Sequence, residues 1–300
     1  MHSNPDRLHQ TQQAHSTRQF RLGDAVISVL CLGSIEVQLS TWFAPPPGGW
    51  PAAYAQDFER AVRLPVLCVH IALPWASILF DACDPQAYPT AQGQHPSLRQ
   101  RLISAGIDPA GISHVVISHG HHDHYCGLVE SPGAAQPPRR EPTFPQARHF
   151  ISRNEWAQGA LCKAATDADG EFADGHMLQI LDQHGLLEFT TGEQQLVPGV
   201  HMIPAPGESP GHMVLRVEAG SEPLYLLGDL YHHRVELDFP ALTPIWADET
   251  ANSASRAHLS QRILNENGSF LCSHICPVLR PDRTGSIHES TITSVCGCAT

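Results

Sequence analysis

The chain of 300 residues contains no apolar run approaching the roughly 20 residues that cross a bilayer, and its first 21 residues are polar. We therefore expect neither a membrane span nor a secretory signal, and a cytoplasmic location. Basic residues are scarce: 18 Lys and Arg stand against 30 Asp and Glu, for a formal net charge of -12. Phosphate backbones are held by clustered Lys and Arg, so no nucleic-acid partner is expected. The Arg139-Arg140 pair falls in a proline-rich stretch that reads as a solvated loop. A disulfide framework is also missing, because the nine cysteines are odd in number and scattered, which suits free thiols in a reducing compartment. With 42% hydrophobic and 16% charged residues, the chain has the balance of a globular protein long enough to bury a sizeable core.

Histidine, by contrast, is abundant, and its placement organises the chain. Ser118-His119-Gly120-His121-His122-Asp123-His124 carries an HxHxDH pattern, with His119, His121, Asp123 and His124 as potential metal ligands. Buried imidazoles and carboxylates cost several kcal/mol unless they are paired or bound to metal, on the order of the penalties known for polar burial. Ile112-Ser113-His114-Val115-Val116-Ile117 runs straight into the motif and reads as a buried strand that delivers a ligand loop at its C-terminal end. Three more candidates lie downstream, each beside a short apolar run. They are His212 in Pro206-Gly207-Glu208-Ser209-Pro210-Gly211-His212, Asp229 after Leu226-Leu227-Gly228, and His274 after Phe270-Leu271-Cys272-Ser273. Imidazole and carboxylate together suit zinc, with an open position for water and substrate.

The order and context of these residues resemble the signature of the metallo-β-lactamase-fold hydrolases, over about residues 20 to 278. The turn before His212 resembles the family's PGHTPGH turn. The resemblance implies an α/β (α+β) fold, an αββα sandwich of two mixed β-sheets flanked by helices. It also implies two divalent metal ions, zinc by preference. One would take His119, His121 and His212, the other Asp123, His124 and His274, with Asp229 and a hydroxide between them. Asp123 and Asp229 would then serve catalysis as well as binding. Gly228-Asp229-Leu230-Tyr231-His232-His233 is closest to the lactonase and organophosphate-hydrolase branch. Some members of that branch use a tyrosine where this chain has His232, which makes His232 a candidate proton donor alongside its reading as a hydrogen-bonded supporting residue. His122 and His233 have the same two readings.

The implied activity is hydrolysis of a small ester-like substrate, a lactone or an organophosphate, with a homodimer left open. The alternatives are glyoxalase II-like thioester hydrolysis, sulfur oxidation at a single iron, and a non-catalytic metal-binding domain. The last would be marked by a missing ligand, and none is missing.

Around this core, residues 1–19 are polar and expected to lack order, 20–278 form the domain, and 279–300 read as a divergent or disordered tail. Phe20 to Ser40 is expected to form two strands about a turn at Leu32-Gly33-Ser34, and 195–203 a single strand. A helix is expected over 97–105 and another over 250–265. Residues 164–185 read as an insertion near the site. Trp42 and Trp50, set among prolines and glycines, are read either as a lid over the site or as packing on the parent sheet. Cys126 is expected to be a small buried residue beneath the ligand loop. Cys296-Gly297-Cys298 is read as a frayed tail.

Overall fold

The computed structural model describes residues 17–87, 96–130, 140–158, 176–282 and 286–290. Two seven-stranded sheets lie face to face. The first begins as an antiparallel meander, β1 (Thr17–Leu22), β2 (Ala25–Val37), β3 (Val62–Leu73) and β4 (Ala76–Phe80). It continues in parallel with β5 (His114–Val116). A separate ribbon pairs β6 (Val129–Glu130) with β7 (Glu141–Pro142), after which β8 (Arg148–Ser152) and β9 (Leu187–Thr190) complete the first sheet. The second sheet repeats the plan. β10 (Gln194–Val197), β11 (Val200–Pro204), β12 (Met213–Val217) and β13 (Leu224–Leu226) run antiparallel, and β14 (Ser269–Cys272) lies parallel to β13. β15 (Ile275–Pro281) and β16 (Ile287–Glu289) form its far edge.

The strand alternation assigns the layers. Along β2 and β3, Ile27, Val29, Cys31, Leu67, Val69 and Ile71 point between the sheets. Their neighbours Leu30, Leu32, Val66 and Cys68 point outward into a second core. In the second sheet Met202, Leu215, Leu224 and Leu226 face inward, while Ile203, Val214, Tyr225 and Phe270 face a helix. Two short helices, α1 (Leu39–Trp42) and α2 (Ala55–Glu59), follow β2. α3 (Leu98–Ser104) precedes β5, α4 (Arg153–Gln158) follows β8, and α5 (His176–Gln183) leads into β9. α6 (Arg234–Asp238) and α7 (Glu249–Asn265) separate β13 from β14. The result is the expected αββα sandwich.

Main-chain hydrogen bonds join the sheets at both ends. At one end Asp24 N donates to Ala219 O at 3.2 Å, and at the other Met213 N donates to Ser118 O at 2.8 Å and Leu67 N to Ser273 O at 3.0 Å.

Several local expectations are corrected. The turn between the first two strands is Gly23-Asp24, not Leu32-Gly33-Ser34. Gly33 instead marks a register shift against β3, a bulge inside one long strand. Gly23 takes a φ of 55°, and a Cβ there would lie 1.4 Å from Ala219 O, so only glycine fits. The single strand expected over 195–203 is broken by a turn at Pro198-Gly199 into β10 and β11. Order extends past both limits drawn for the domain, since β1 starts at Thr17 and β16 pairs with β15 beyond residue 279. Residues 1–16, most of the expected insertion and the Cys296-Gly297-Cys298 segment lie outside the described residues. Cys68, Cys83, Cys126 and Cys272 are free and buried and Cys31 is buried, but Cys276 is disulfide-bonded, against the expectation of free thiols throughout. Unlike those buried cysteines, Cys276 is only half-buried, on β15 of the second sheet. No helix among the described residues is long and apolar enough to cross a membrane.

Candidate metal centre

The site forms where strands of both sheets end at one edge of the sandwich. β5 passes through Ile117-Ser118 into the HxHxDH loop, whose His122–His124 segment closes as a 3-10 turn. β13 ends at Gly228-Asp229, β14 at Ser273-His274, and His212 immediately precedes β12. Gly228 has a φ of 56°, and a Cβ on it would come within 2.7 Å of His212 Nε2. The left-handed turn therefore lets Asp229 swing into the centre against the imidazole.

Asp229 Oδ2 is the hub. It lies 3.2 Å from His124 Nε2, 3.3 Å from His274 Nε2, 3.4 Å from His232 Nε2 and 3.7 Å from His119 Nε2. Asp123 joins one side, 3.2 Å from His274 Nε2 and 3.6 Å from His124 Nε2. On the other side Glu208 lies 3.4 Å from His119 Nε2 and 3.2 Å from His121 Nδ1. Two donor groups result, His119, His121, Glu208 and Asp229 in one and Asp123, His124 and His274 in the other. Ligands about 2.1 Å from a shared ion stand roughly 3.0–3.4 Å apart at right-angled to tetrahedral geometry, so most of these separations match a divalent metal site and the 3.6 and 3.7 Å ones lie just above it. His119 Nε2, Glu208 Oε2 and Asp229 Oδ1 are moreover buried without a hydrogen-bond partner, the condition a cation would relieve.

Supporting contacts fix which ring nitrogen faces inward. His124 Nδ1 meets Asp81 at 2.8 Å, and His274 Nδ1 donates to Pro65 O at 2.7 Å. His212 Nδ1 donates to Ala205 O at 3.1 Å, while its Nε2 accepts the Asp229 backbone N–H at 3.1 Å. Glu155 from α4 binds two ligand loops together, accepting from Gly120 N at 2.9 Å, Ser209 Oγ at 2.7 Å and Gly211 N at 2.8 Å. Glu236 accepts the backbone N–H groups of His232 and His233 at 2.6 and 2.9 Å and pairs with buried Arg256 from α7. Arg256 in turn donates to Leu230 O at 2.9 Å and Leu242 O at 2.6 Å, which holds the whole segment around His232.

Without metal the cluster is electrostatically divided. Burial pushes the His119 imidazole well below its ordinary pKa, and the neighbouring histidines add to the effect. Burial likewise lowers His212. For His124 and His274 burial acts in the same direction, but the Asp229 and Asp123 carboxylates outweigh it and raise both, His274 to about 10. Burial raises Asp123 and Asp229, yet the imidazoles facing them hold both below the usual carboxylate range.

Of the neighbouring candidates, His232 reaches the cluster, where its ring stacks 6.0 Å from that of His274. Tyr231 turns away, beneath the Arg256 guanidinium and 3.4 Å from Ser260 Oγ. His122 packs on Tyr125, and His233 caps α6 beside Tyr54. Trp42 meets His232 edge-on at 5.5 Å and Trp246 at 5.3 Å, forming an aromatic wall. Ile245 N donates to Trp42 O at 2.8 Å, tying the two wall loops together. Trp50, by contrast, stacks on Phe58 at 3.8 Å within its own loop and takes no part in the wall. Cys126 is buried, its Sγ accepting from Asp84 N at 3.1 Å. Sequence reasoning missed Glu208, Glu155, Glu236 and Trp246, and it placed Asp81 at the end of an apolar strand resembling the family's Asp-Thr-Gly turn without its contact to His124. Of the missed residues Glu208 carried a signal, a carboxylate inside the turn that leads to His212.

A family model described as the metallo-beta-lactamase superfamily matches residues 76–260, which contain every candidate ligand except His274. The chain belongs to the metallo-beta-lactamase superfamily. The N-acyl homoserine lactonase AiiB of Agrobacterium fabrum is 27% identical over 185 residues, covering 56% of this chain and 63% of AiiB. A probable metallo-hydrolase of Mycobacterium tuberculosis is 27% identical over 153 residues, covering 48% of this chain and 45% of that protein. The chain thus spans less than two thirds of either relative. The solved structure of AidC, a dizinc quorum-quenching lactonase in complex with a product, superposes with a TM-score of 0.70 at 20% identity, over 94% of this chain and 100% of AidC. Within the superfamily's PGHTPGH turn, Glu208 stands where the family pattern has histidine.

Proposed function

We propose that the protein is a dinuclear metal-dependent hydrolase that opens a small ester-like substrate, a lactone by preference. The carrying observation is the convergence on Asp229 Oδ2 of imidazole nitrogens from both donor groups, at 3.2 to 3.7 Å. That arrangement supports two ions sharing one carboxylate, zinc by the chemistry of its donors. Bound divalent ions would supply an activated water at neutral pH and polarise the substrate carbonyl. Asp229 and Asp123 hold the centre together and orient the attacking water through their free lone pairs. His232, 3.4 Å from Asp229 Oδ2 and buried against Trp42, is placed to give a proton to the leaving alkoxide. Trp42 and the half-exposed Trp246 supply an apolar wall for the rest of a small substrate and limit water around the reacting bond. The names of AiiB and AidC favour a lactone among ester-like substrates.

Initial rates on an acyl-homoserine lactone, an aryl phosphotriester and a glutathione thioester test this reading, each with zinc-loaded and metal-stripped protein. We expect metal-dependent turnover with the lactone fastest. A preference for the thioester would move the protein to a glyoxalase II-like role. Two bound ions with no turnover of any substrate would remove the hydrolase reading.

A further inference from the structure

The turn before His212 places a carboxylate where the family pattern has an imidazole, and the structure buries it completely. Glu208 has 2% of its surface exposed, and its Oε1 accepts a hydrogen bond from Trp246 Nε1 at 2.8 Å. Its Oε2 has no hydrogen-bond partner, although it lies 3.4 Å from His119 Nε2, itself without one. Burying a carboxylate with one oxygen unsatisfied is costly unless a cation compensates it. Both nitrogens of His212 are meanwhile engaged, Nδ1 with Ala205 O and Nε2 with the Asp229 backbone N–H. The donor group around His119 and His121 takes in Glu208 and Asp229, and His212, expected from the sequence as its third imidazole, stands outside it.

We propose that Glu208 is a direct ligand of the ion held by His119, His121 and Asp229. This inference rests on the dinuclear reading above and deepens it. Two imidazoles with two carboxylates make a harder donor set than three imidazoles with one. Glu208 thereby shifts this position toward oxygen-preferring ions such as manganese(II), relative to zinc. It also couples the metal to the substrate wall, because the same carboxylate holds the Trp246 indole.

The test is metal binding by the full chain, in competition with a chromogenic chelator, using manganese(II) and zinc(II). His274→Ala removes a ligand of the neighbouring position, so that a single ion is read. In that background, Glu208→Gln is expected to lower manganese(II) affinity by at least about tenfold, the scale on which even supporting residues around a metal act. Glu208→His, which restores the family residue, is expected to lose manganese(II) affinity while holding zinc(II) affinity within a few-fold. The visible absorption of the cobalt(II)-loaded single-site protein should change in both variants. Trp246→Phe removes the indole hydrogen bond and leaves the carboxylate, so it should keep the manganese-to-zinc ratio and the cobalt spectrum. Unchanged affinities and an unchanged cobalt spectrum in Glu208→Gln would overturn the proposal. So would a Trp246→Phe variant that reproduces the loss, since Glu208 would then act only by packing. Because the readout is binding, an inactive protein counts against the hydrolase reading and not against Glu208.

Discussion

Asp81 and Asp229 occupy equivalent places in the two sheets, and their surroundings are opposite. Asp81 follows β4, which lies parallel to β5, and Asp229 follows β13, which lies parallel to β14. Each turn passes through a left-handed residue, Asp81 itself at φ 57° and Gly228 at φ 56°. Both carboxylates are buried. Asp81 is satisfied by its own chain, accepting from Ser118 N at 2.8 Å, Ser118 Oγ at 3.0 Å and Ser273 Oγ at 3.3 Å, and meeting His124 Nδ1 at 2.8 Å. Asp229 leaves Oδ1 without a partner and turns Oδ2 toward four imidazoles. A saturated carboxylate is a fastener, and an unsaturated one among lone-pair donors is a seat for a cation. The same fold position has served both purposes.

Substitution should separate the two roles. Asp229→Ala should lower bound metal and abolish hydrolysis, measured by metal analysis beside initial rates. Full activity with both metals retained would end its assignment as the shared ligand. Asp81→Asn should act more mildly, because it keeps the shape and loses only charge and acceptors at His124 Nδ1. We expect metal affinity to fall about 10- to 100-fold, as for other groups that orient a ligand imidazole. A loss as complete as that of Asp229→Ala would erase the distinction.

The weakest expected effect extends the contrast to imidazoles away from the centre. His149 is buried with both ring nitrogens lacking partners, and burial pushes its pKa down to about 4. Burial does the same to His70, again to about 4, whereas His274 faces two carboxylates and is raised. A histidine depressed in the folded state binds its proton more tightly when unfolded, so acid favours unfolding. The contribution is complete above about pH 6.5 and is lost as pH falls toward 4, on the order of 3 kcal/mol for each group. Urea midpoints of the metal-free protein at pH 7, 6 and 5 should therefore decline, and His149→Phe should flatten the decline. An unchanged midpoint across that range would show that these imidazoles are hydrated.

Most of the candidate ligands were legible in the sequence because they sit where an apolar strand ends, and a strand end writes itself locally. His119 to His124, Asp229 and His274 all carry that mark. Most of the groups that hold them do not. Asp81 ends an apolar strand too, but its reach to Ser118 across 37 positions is not written there, and Glu155 reaches Gly211 N across 56 with no neighbour that hints at its partner. Glu236 and Arg256 look like ordinary helix residues until packing buries them as a pair. The misplaced first turn has a similar cause. Gly23 and Gly33 are indistinguishable as letters, and only the close approach of Ala219 shows which one the chain must bend at. Trp42 and Trp50 were equally suited to a lid, and the stack of Trp50 on Phe58 decides between them.

The main-chain links between Asp24 and Ala219 at one end of the sandwich, and between Met213 and Ser118 at the other, leave the sheets no axis about which to part. The floor of the candidate centre is thus bolted, while Trp42 and the half-exposed Trp246 stand beside it as its wall. Substitutions at Trp42 and Trp246 can reshape that wall without touching the main-chain bolts.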